Sequence, residues 1–336
     1  MRLGSGLARP MVGGGLAARF MRTESRSPRI EDSATLLTAS LVGLVAFASV
    51  GFADKPEPDA SKSTIIQSTA VVEASGISFS HRDPTCVWVH NDSGDDAFVY
   101  AIDRATGEST ARVQLVGLQA VDWEDMAIFS VDGQPKMLIA DVGDNLSERE
   151  SVTLHLFDEP DPHQDARIPV AAIKRINIRY PDGPRNCEAV WVDPRRKRIY
   201  LAEKATLPWA GVYSISWDAP EPASLAHATL RREASLAIPW ITGADHDART
   251  GDLWVISYWQ AFRFRLQDSQ PLESQLTVIP ESIALPRLKQ IEAVGVDAQS
   301  RMWVTSEGQQ PPLMLVDSGA LAAMPQTQKV EIDARN

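Results

Sequence analysis

The sequence predicts an all-β protein, a β-propeller of four-stranded blades, and three observations support this. One pattern of short strands occurs five times, every 49 to 64 residues. The strands alternate apolar and polar residues and are rich in Val, Ile, Trp and Tyr, as half-buried strands are. No segment carries a strong apolar helical stripe. Repeats of this length, each too small to bury its own faces, are typical of propellers.

The first two strands of each repeat carry the clearest signal. An acidic or small residue precedes an apolar strand, a turn rich in Asp, Pro, Gly and Arg follows, and the second strand ends in polar residues. The five segments are EASGISFSHRDPTCVWVHND (73–92), WEDMAIFSVDGQPKMLIADVGDN (123–145), CEAVWVDPRRKRIYLAEK (187–204), ITGADHDARTGDLWVISY (241–258) and IEAVGVDAQSRMWVTSEG (291–308).

The outer strands follow in each repeat. Third strands are predicted at 97–103, 152–158, 211–217, 261–266 and 312–317. Fourth strands are predicted at 111–117, 173–180, 230–238, 275–280 and 328–332. Residues 63–72 offer a strand that closes the ring against the last blade. A sixth blade within 146–180 or 205–240 stays open, and a two-sheet sandwich is the alternative that the repeated pattern disfavours.

The N-terminal region reads as a secretory signal peptide. Six arginines precede an uncharged stretch of 18 residues (36–53), and small residues precede Asp54. We predict a signal peptide at 1–53, a polar linker at 54–62 and a single propeller domain at 63–336. The protein is then exported, to the bacterial periplasm or outside the cell, without a stable membrane span. An uncleaved anchor is the alternative, since 18 apolar residues can just cross a bilayer.

The charge is strongly acidic, with 33 Lys and Arg against 44 Asp and Glu and a net charge of -11. Removing residues 1–53 removes six arginines and three acids, which leaves the mature chain at -14. This excess of acidic residues argues against a nucleic-acid partner, because proteins that bind a phosphate backbone present a surface rich in Lys and Arg. Cys86 and Cys187 fall in blades one and three, so we predict free thiols rather than a disulfide.

Part of this acidity should converge on one mouth of the propeller channel. Inner strands start at one mouth and second strands return to it, so their polar ends should meet there. The predicted ligands of a divalent cation are Glu73, Asp92, Glu124, Asp125, Asp141, Asp144, Asn145, Glu188 and Glu292. Other polar groups predicted at this rim are Asn91, Asp122, Asn186, Thr242, Ser257, Tyr258, Ser306 and Glu307. Oxygen ligands in such number favour Ca²⁺, whereas Zn²⁺ prefers His and Cys.

Several motifs together resemble a family of secreted bacterial propellers grouped with the esterase-like or phytase-like β-propellers. These are DWEDMAI (122–128), IADVGDN (139–145), NCEAVWVD (186–193) and ITGADHD (241–247), with EASGIS and VHNDSG near the start. The resemblance spans roughly residues 70–317. It implies an acidic metal site at the channel mouth, with several Ca²⁺ ions holding phosphate in phytase-like members and one divalent ion in lactonase-like members. Thr242 stands where a symmetric site would carry a carboxylate.

Two functions from different classes fit these observations. The first is a metal-dependent hydrolase of phosphate esters or lactones, in which Glu203 or His90 transfers the proton. The sequence contains no GxSxG nucleophile elbow, HExxH, CxxC or phosphate-binding loop in the mature chain. The second is a non-catalytic monomer that binds a protein or polysaccharide at the channel mouth, with a structural metal. A small-molecule ligand would be expected for the first.

Overall fold

The computed structural model describes residues 62–92, 96–218 and 227–317. The predicted signal peptide, most of the linker and the strand predicted at 328–332 lie outside these ranges. The first half of the ring contains a short first strand, the four strands of blade one and the strands of blade two. They are β1 (Ser63–Ile65), β2 (Ala74–Phe79), β3 (Cys86–Asn91), β4 (Phe98–Asp103), β5 (Ser109–Val116), β6 (Trp123–Val131), β7 (Gln134–Asp141), β8 (Val152–Asp158), β9 (Ala166–Pro169) and β10 (Lys174–Arg179).

The second half contains blades three to five and one short helix, α1. Its elements are β11 (Cys187–Asp193), β12 (Arg198–Glu203), β13 (Ala210–Ser216), β14 (Ala228–Thr229), β15 (Arg231–Leu236), β16 (Ile241–His246), β17 (Asp252–Ser257), β18 (Gln260–Arg265), α1 (Leu272–Leu276), β19 (Glu281–Ala284), β20 (Ile291–Val296), β21 (Met302–Ser306) and β22 (Pro312–Leu315). Among the described residues, no helix is long and apolar enough to cross a membrane.

These strands form a five-bladed β-propeller. Each of the inner strands β2, β6, β11, β16 and β20 contacts the inner strands of both neighbouring blades, which closes a ring of five. Five apolar clusters fill the five spaces between adjacent blades. Fully buried tryptophans belong to two of them, Trp88 and Trp123 to the cluster between blades one and two and Trp191 to the cluster between blades three and four. Because each core lies between two blades, neither blade buries its faces without the next one.

The N-terminal strand closes the ring, as the sequence predicted. Strand β1 pairs antiparallel with β22 of blade five, with Ser63 opposite Met314 and Ile65 opposite Pro312. Blade five therefore takes its outermost strand from the start of the described chain. The first and last described segments are joined by backbone hydrogen bonds.

The described parts of the long segments 146–180 and 205–240 belong to blades two and three, and they do not form a sixth blade. In each, the connection between the third and fourth strands crosses to the preceding blade. There β9 pairs in parallel with β5, and β14 pairs in parallel with β10. Blade four follows the same plan with α1, which packs against β15. The prediction of a strand at 275–280 was therefore wrong, because the fourth strand of blade four is β19.

Every inner strand has a β-bulge at the same place. The pairing with the second strand shifts by one residue after Ala74, Trp123, Cys187, Ile241 and Ile291. A bulge leaves one residue outside the ladder and re-aims its side chain. The five bulged residues are Ser75, Glu124, Glu188, Thr242 and Glu292.

Side chains of the inner strands tie the ring together across the channel. Ser75 Oγ donates to the carbonyl of Glu124 at 2.8 Å, and Thr242 Oγ1 donates to that of Ile291 at 3.0 Å. The Asp125 carboxylate accepts the backbone amides of Val190 and Ala244, at 2.8 and 3.3 Å.

Asp125 thus has a structural position and lies outside the cluster of carboxylates at the mouth. Its other oxygen accepts the amide of Met126 at 2.8 Å. Its side chain has no exposed surface. Burial raises the pKa of Asp125, and the three amides work against that rise. The ligand role predicted for Asp125 is replaced by a role in holding three inner strands together.

Candidate metal centre

The bulges bring three glutamates to one mouth of the channel. Glu124, Glu188 and Glu292 occupy equivalent positions in blades two, three and five, as the sequence predicted. Each residue is at most 6% exposed. Their carboxyl groups are close enough that Glu188 raises the pKa of both other glutamates, in addition to the larger effect of burial.

The blade-one equivalent is Ser75, so the prediction of Glu73 at this position was wrong. Glu73 is exposed and precedes β2. Its amide donates to Asn91 Oδ1 at 3.1 Å, and its carbonyl accepts the amide of Asp92 at 2.9 Å. Glu73 therefore supports the end of β3 through its backbone.

Three carboxylates form the tightest acidic cluster of the mouth. One oxygen each from Asp92, Asp122 and Glu124 lie within 4.8 Å of one another. Asp92 follows β3 of blade one, whereas Asp122 and Glu124 begin the inner strand of blade two. We call these three residues the mouth cluster. The sequence placed Asp122 at the rim but not among the ligands, although its place two residues before Glu124 in DWED was the available signal.

The mouth cluster lies against the backbone of Gly143. A Cβ atom added at Gly143 would stand 2.2 Å from Glu124 Oε1 and 2.5 Å from Asp122 Oδ2. The amides of Val142 and Gly143 donate to the Asp122 carbonyl, at 3.1 and 3.2 Å. Only glycine therefore leaves the two carboxylates in place at this point of the β7–β8 loop.

We expect Gly143→Ala to weaken cation binding by at least tenfold, because the new methyl group must displace Glu124 or Asp122. Isothermal titration calorimetry with Ca²⁺ measures this effect. Gly133→Ala is not a suitable control, because Gly133 has a φ of 78°. Ser147→Gly, in the same loop, changes an exposed residue outside the mouth cluster. If Gly143→Ala bound Ca²⁺ as tightly as the wild type, the mouth cluster would not be the binding site.

The mouth cluster is electrostatically unfavourable when bare. Burial raises the pKa of Glu124 well above its ordinary value, and Glu188, Asp92 and Asp122 raise it further. Burial also raises the pKa of Asp122, although Arg149 opposes the rise. A divalent cation would offset this repulsion, and carboxylate oxygens are the ligands that Ca²⁺ takes.

The predicted ligand Asp141 lies outside the mouth cluster. Its Oδ1 accepts Arg149 Nη2 at 2.7 Å, and its Oδ2 accepts the amide of Val121 at 3.2 Å. Burial favours a higher pKa for Asp141, but the neighbouring His155 ring and the hydrogen-bonded Arg149 outweigh burial and lower it. Asp141 is thus a charged partner of Arg149, and it anchors the end of β7.

Asp144 and Asn145 shape the loop beside the mouth cluster. The two oxygens of Asp144 accept the amides of Glu148 and Arg149, at 2.9 and 2.8 Å, as turn aspartates do. Asn145 Oδ1 accepts Asn186 Nδ2 at 3.2 Å. Both residues were predicted as metal ligands. In the structure, these hydrogen bonds use their side chains to stabilise the loop instead.

Glu188 is neutralised by a lysine. Lys204 Nζ lies 2.6 Å from Glu188 Oε2, and Asn186 Nδ2 donates to Glu188 Oε1 at 3.0 Å. Burial lowers the pKa of Lys204, but Glu188 more than compensates and raises it overall. Lys204 also lies 5.0 Å from the ring centroid of Tyr258. Both members of this ion pair are also close enough to Glu292 to affect its pKa.

Glu292 forms a carboxyl pair with Glu307. Burial, together with a hydrogen bond and repulsion from Glu307, raises the pKa of Glu292 to about 8. Glu292 therefore holds a proton near neutral pH. A proton held there can be given up or taken back in acid–base chemistry.

We expect Glu292→Gln to stabilise the metal-free protein increasingly as the pH rises. The raised pKa stabilises the fold fully below about pH 4.5, and this contribution is lost as the pH rises through about 8. Glutamine at position 292 does not titrate, so the variant shows no such loss of stability over this range. The excess of its unfolding free energy over that of the wild type should therefore grow by up to about 1.4 kcal/mol per pH unit between those values. Urea unfolding from pH 5 to 9 in EDTA measures it, with the exposed Glu273→Gln as control. A difference that does not change with pH would show that Glu292 holds no proton in this range.

The two predicted proton-transfer residues lie in different surroundings. His90 has no exposed surface, and its ring packs edge-on against Trp123 at 5.6 Å. Burial lowers the pKa of His90 to about 4, so its ring is neutral at neutral pH. Because the ring has no exposed surface, a ligand at the mouth does not contact it. Glu203 accepts the amide of Gly211 at 3.1 Å and lines an open cleft.

This cleft extends outward from the mouth over blades two to four. Its volume is about 590 Å³, and Lys204 lies on its wall. Arg185 and Arg232 line it from either side, and Trp209 and Trp240 contribute apolar surface. The cleft thus combines basic side chains, of which Arg185 and Lys204 are ion-paired to carboxylates, with aromatic surface beside an acidic channel mouth.

Comparison with solved structures gives distant matches. The apo-form soluble aldose sugar dehydrogenase of Escherichia coli has 9% identity and a TM-score of 0.41, and the match covers 75% of this chain and 98% of that one. The PQQ-bound aldose sugar dehydrogenase of Streptomyces coelicolor has 13% identity and a TM-score of 0.36 over 77% and 99%. The Dos1 propeller has 12% identity and a TM-score of 0.35 over 70% and 55%.

These similarities concern the fold alone. No protein-family model matches the chain. A search of curated proteins gave no match either.

Proposed function

We propose that this protein is an exported, cation-dependent hydrolase of phosphate esters or lactones that works at the acidic mouth of its propeller. The observation that carries the proposal is the mouth cluster, three carboxylates from two blades gathered around the Gly143 backbone. The proposal also fits the resemblance of the DWED, DVGDN, NCEA and TGAD motifs to esterase-like and phytase-like bacterial propellers.

The ligand chemistry favours Ca²⁺ as the cation. Asp92, Asp122 and Glu124 offer only oxygen, and the mouth cluster contains no imidazole or thiol. Ca²⁺ takes six to eight oxygen ligands and accepts irregular geometry, so three carboxylates and several waters would satisfy it. Mg²⁺ demands a stricter octahedron, and Zn²⁺ prefers nitrogen and sulfur.

Different residues around the mouth have different roles in the proposed hydrolysis. A bound divalent cation polarises a carbonyl or phosphoryl oxygen and makes water more acidic. Lys204 and Arg185 attract the anionic part of the substrate into the cleft. Glu292 gives its proton to the leaving oxygen as the bond from that oxygen to the carbonyl carbon or phosphorus breaks. The oxygen of water forms the new bond to the same atom, and the proton that this water loses returns to Glu292. Glu203 keeps the loop of Lys204 in position through Gly211.

A binding function is the second candidate, and the exposed apolar side chains of the same face favour it. Such side chains are common at sites that recognise proteins or carbohydrates. A monomeric propeller with a structural Ca²⁺ ion would then bind a polysaccharide or protein at the mouth. The exposed apolar residues of this face are Val121, Leu146, Leu207, Trp209, Trp240 and Trp259.

One assay separates the two functions. Metal-stripped protein is supplied with Ca²⁺ and tested on a chromogenic phosphate monoester and a panel of lactones. Hydrolysis that requires Ca²⁺ and is lost in Glu124→Gln, but not in the exposed Glu150→Gln, supports the hydrolase. Ca²⁺ binding without turnover of either substrate class supports the binding protein. If Ca²⁺ neither binds nor stabilises the chain, both proposals fail.

Export is proposed from the apolar segment at 36–53. Expression of the full chain in a bacterial host and N-terminal sequencing of the periplasmic form tests it. A mature N-terminus at Asp54 supports export. Full-length protein confined to the cytoplasm would contradict it.

A further inference from the structure

We propose that Asp83, Cys86 and His163 form a second metal site, separate from the mouth cluster, that binds a thiophilic divalent ion such as Zn²⁺. We call these residues the staple site. They lie on the opposite face of blade one, where the turn after β2 and the start of β3 meet the segment that follows β8. The inference does not depend on the proposed function.

The three ligand atoms are already gathered. His163 Nε2 lies 2.8 Å from Asp83 Oδ2 and 4.0 Å from Cys86 Sγ, and all three atoms lie within 4.8 Å of one another. In a tetrahedral zinc site, ligand atoms stand about 3.3–3.7 Å apart, given Zn–N and Zn–S bonds of about 2.0–2.3 Å. Shifts of about 0.5 Å in two side chains would therefore admit the ion.

The chemistry of the ligands selects the ion. One sulfur, one nitrogen and one oxygen suit Zn²⁺ and its analogue Co²⁺, whereas Ca²⁺ prefers an all-oxygen set. Three protein ligands leave the fourth tetrahedral position to water. On binding, the proton of the Cys86 thiol passes to solvent, because only the thiolate ligates.

The surroundings of the staple site give it access and support. The His163 side chain is 52% exposed and that of Asp83 is 31% exposed, so an ion can enter from solvent. Cys86 is buried beneath them. Thr110 Oγ1 lies 3.9 Å from Cys86 Sγ and donates to the carbonyl of Pro162 at 2.6 Å, which fixes the chain beside His163.

The staple site would lock one blade to the next. His163 belongs to the segment that leaves blade two and adds β9 to the edge of blade one. Glu159 already holds the start of this segment through Trp88 Nε1, at 2.9 Å. Asp165 holds its end by accepting the amide of Arg112 at 2.8 Å. A metal ion bound by His163, which lies between Glu159 and Asp165, would fix the middle of this segment to blade one as well.

Cobalt spectroscopy tests the proposal on the untagged full chain. We expect Co²⁺ to give a thiolate-to-cobalt charge-transfer band with one equivalent bound. The band should be lost in Cys86→Ser and in His163→Gln, and excess Zn²⁺ should abolish it in the wild type. His163→Gln changes an exposed side chain, so it tests the site even if the buried serine harms folding. Cys187→Ser is the matched control, since Cys187 is equally buried but contacts backbone carbonyls.

The outcomes are distinct from those at the channel mouth. Glu124→Gln should keep the cobalt band, because the mouth cluster contains no sulfur. The staple site is overturned if the wild type gives no band or if the band survives His163→Gln. It is also overturned if the band is lost in Cys187→Ser but kept in Cys86→Ser. Loss of the band in Glu124→Gln would also contradict it.

Discussion

Saturating Ca²⁺ is expected to raise the melting temperature of the metal-stripped protein by about 5–10 °C. An ion at a hundred times its dissociation constant adds about 2.7 kcal/mol to the free energy of unfolding. For a chain of this size, each kcal/mol shifts the melting temperature by about 2–4 °C. The physical reason is the mouth cluster, where burial raises the pKa values of Glu124 and Asp122 and repulsion from Asp92 and Asp122 raises that of Glu124 further.

Variants of the mouth cluster separate ion binding from general charge effects. In EDTA, Glu124→Gln should be as stable as the wild type or more stable, because it removes a buried charge from a repulsive group. In Ca²⁺, the same variant should lose the increase in melting temperature. Asp122→Asn should behave in the same way. The exposed acid Glu150, on the same face, provides the control Glu150→Gln, which should keep the full increase.

Differential scanning calorimetry over a series of Ca²⁺ concentrations measures both effects. The mouth cluster would be excluded as the source of stabilisation if Glu124→Gln gained as much from Ca²⁺ as the wild type. A destabilised Glu124→Gln in EDTA would contradict the claim that the bare cluster is repulsive.

The second large effect is expected at Asp125. Asp125→Ala should lower the free energy of unfolding by about 3–5 kcal/mol, because it leaves the buried amides of Val190 and Ala244 without an acceptor. Each such amide costs about 1–3 kcal/mol, and the amide of Met126 loses its bond as well. Asp125→Asn, which keeps one acceptor oxygen, should cost less.

Urea unfolding checks this effect with Asp268→Ala as the control. Asp268 is an exposed acid paired with Arg195, so its loss should change the stability by no more than about 0.5 kcal/mol. If Asp125→Ala lost less than about 1 kcal/mol, the carboxylate would not be holding the inner strands together. If it removed Ca²⁺ binding without loss of stability, Asp125 would be a ligand after all.

The blades could be predicted from the sequence because each core lies between repeats that share one strand pattern. The closing strand β1 was also visible as an apolar segment before the first repeat. The strand predicted at 275–280 was wrong because Val278 and Ile279 look like a strand, whereas they are exposed residues between α1 and β19. An apolar run of this length does not reveal whether it will be buried.

The mouth could be predicted only in part, because a bulge is invisible in a period-two pattern. Glu124, Glu188 and Glu292 were found since they share one position, but Glu73 was taken for the blade-one equivalent in place of Ser75. Asp125 follows Glu124 directly and looks equally suited to bind metal. Only the structure shows that its oxygens are taken by backbone amides of two other blades.

The central claim is that the mouth cluster binds a divalent cation, and a crystal structure of the protein grown with Ca²⁺ tests it most directly. We expect an anomalous difference peak with oxygens of Asp92, Asp122 and Glu124 about 2.3–2.6 Å from its centre, the usual Ca²⁺–oxygen distance. The peak should be absent in crystals of Glu124→Gln. A wild-type structure with Ca²⁺ elsewhere, and only water among these three carboxylates, would contradict the account.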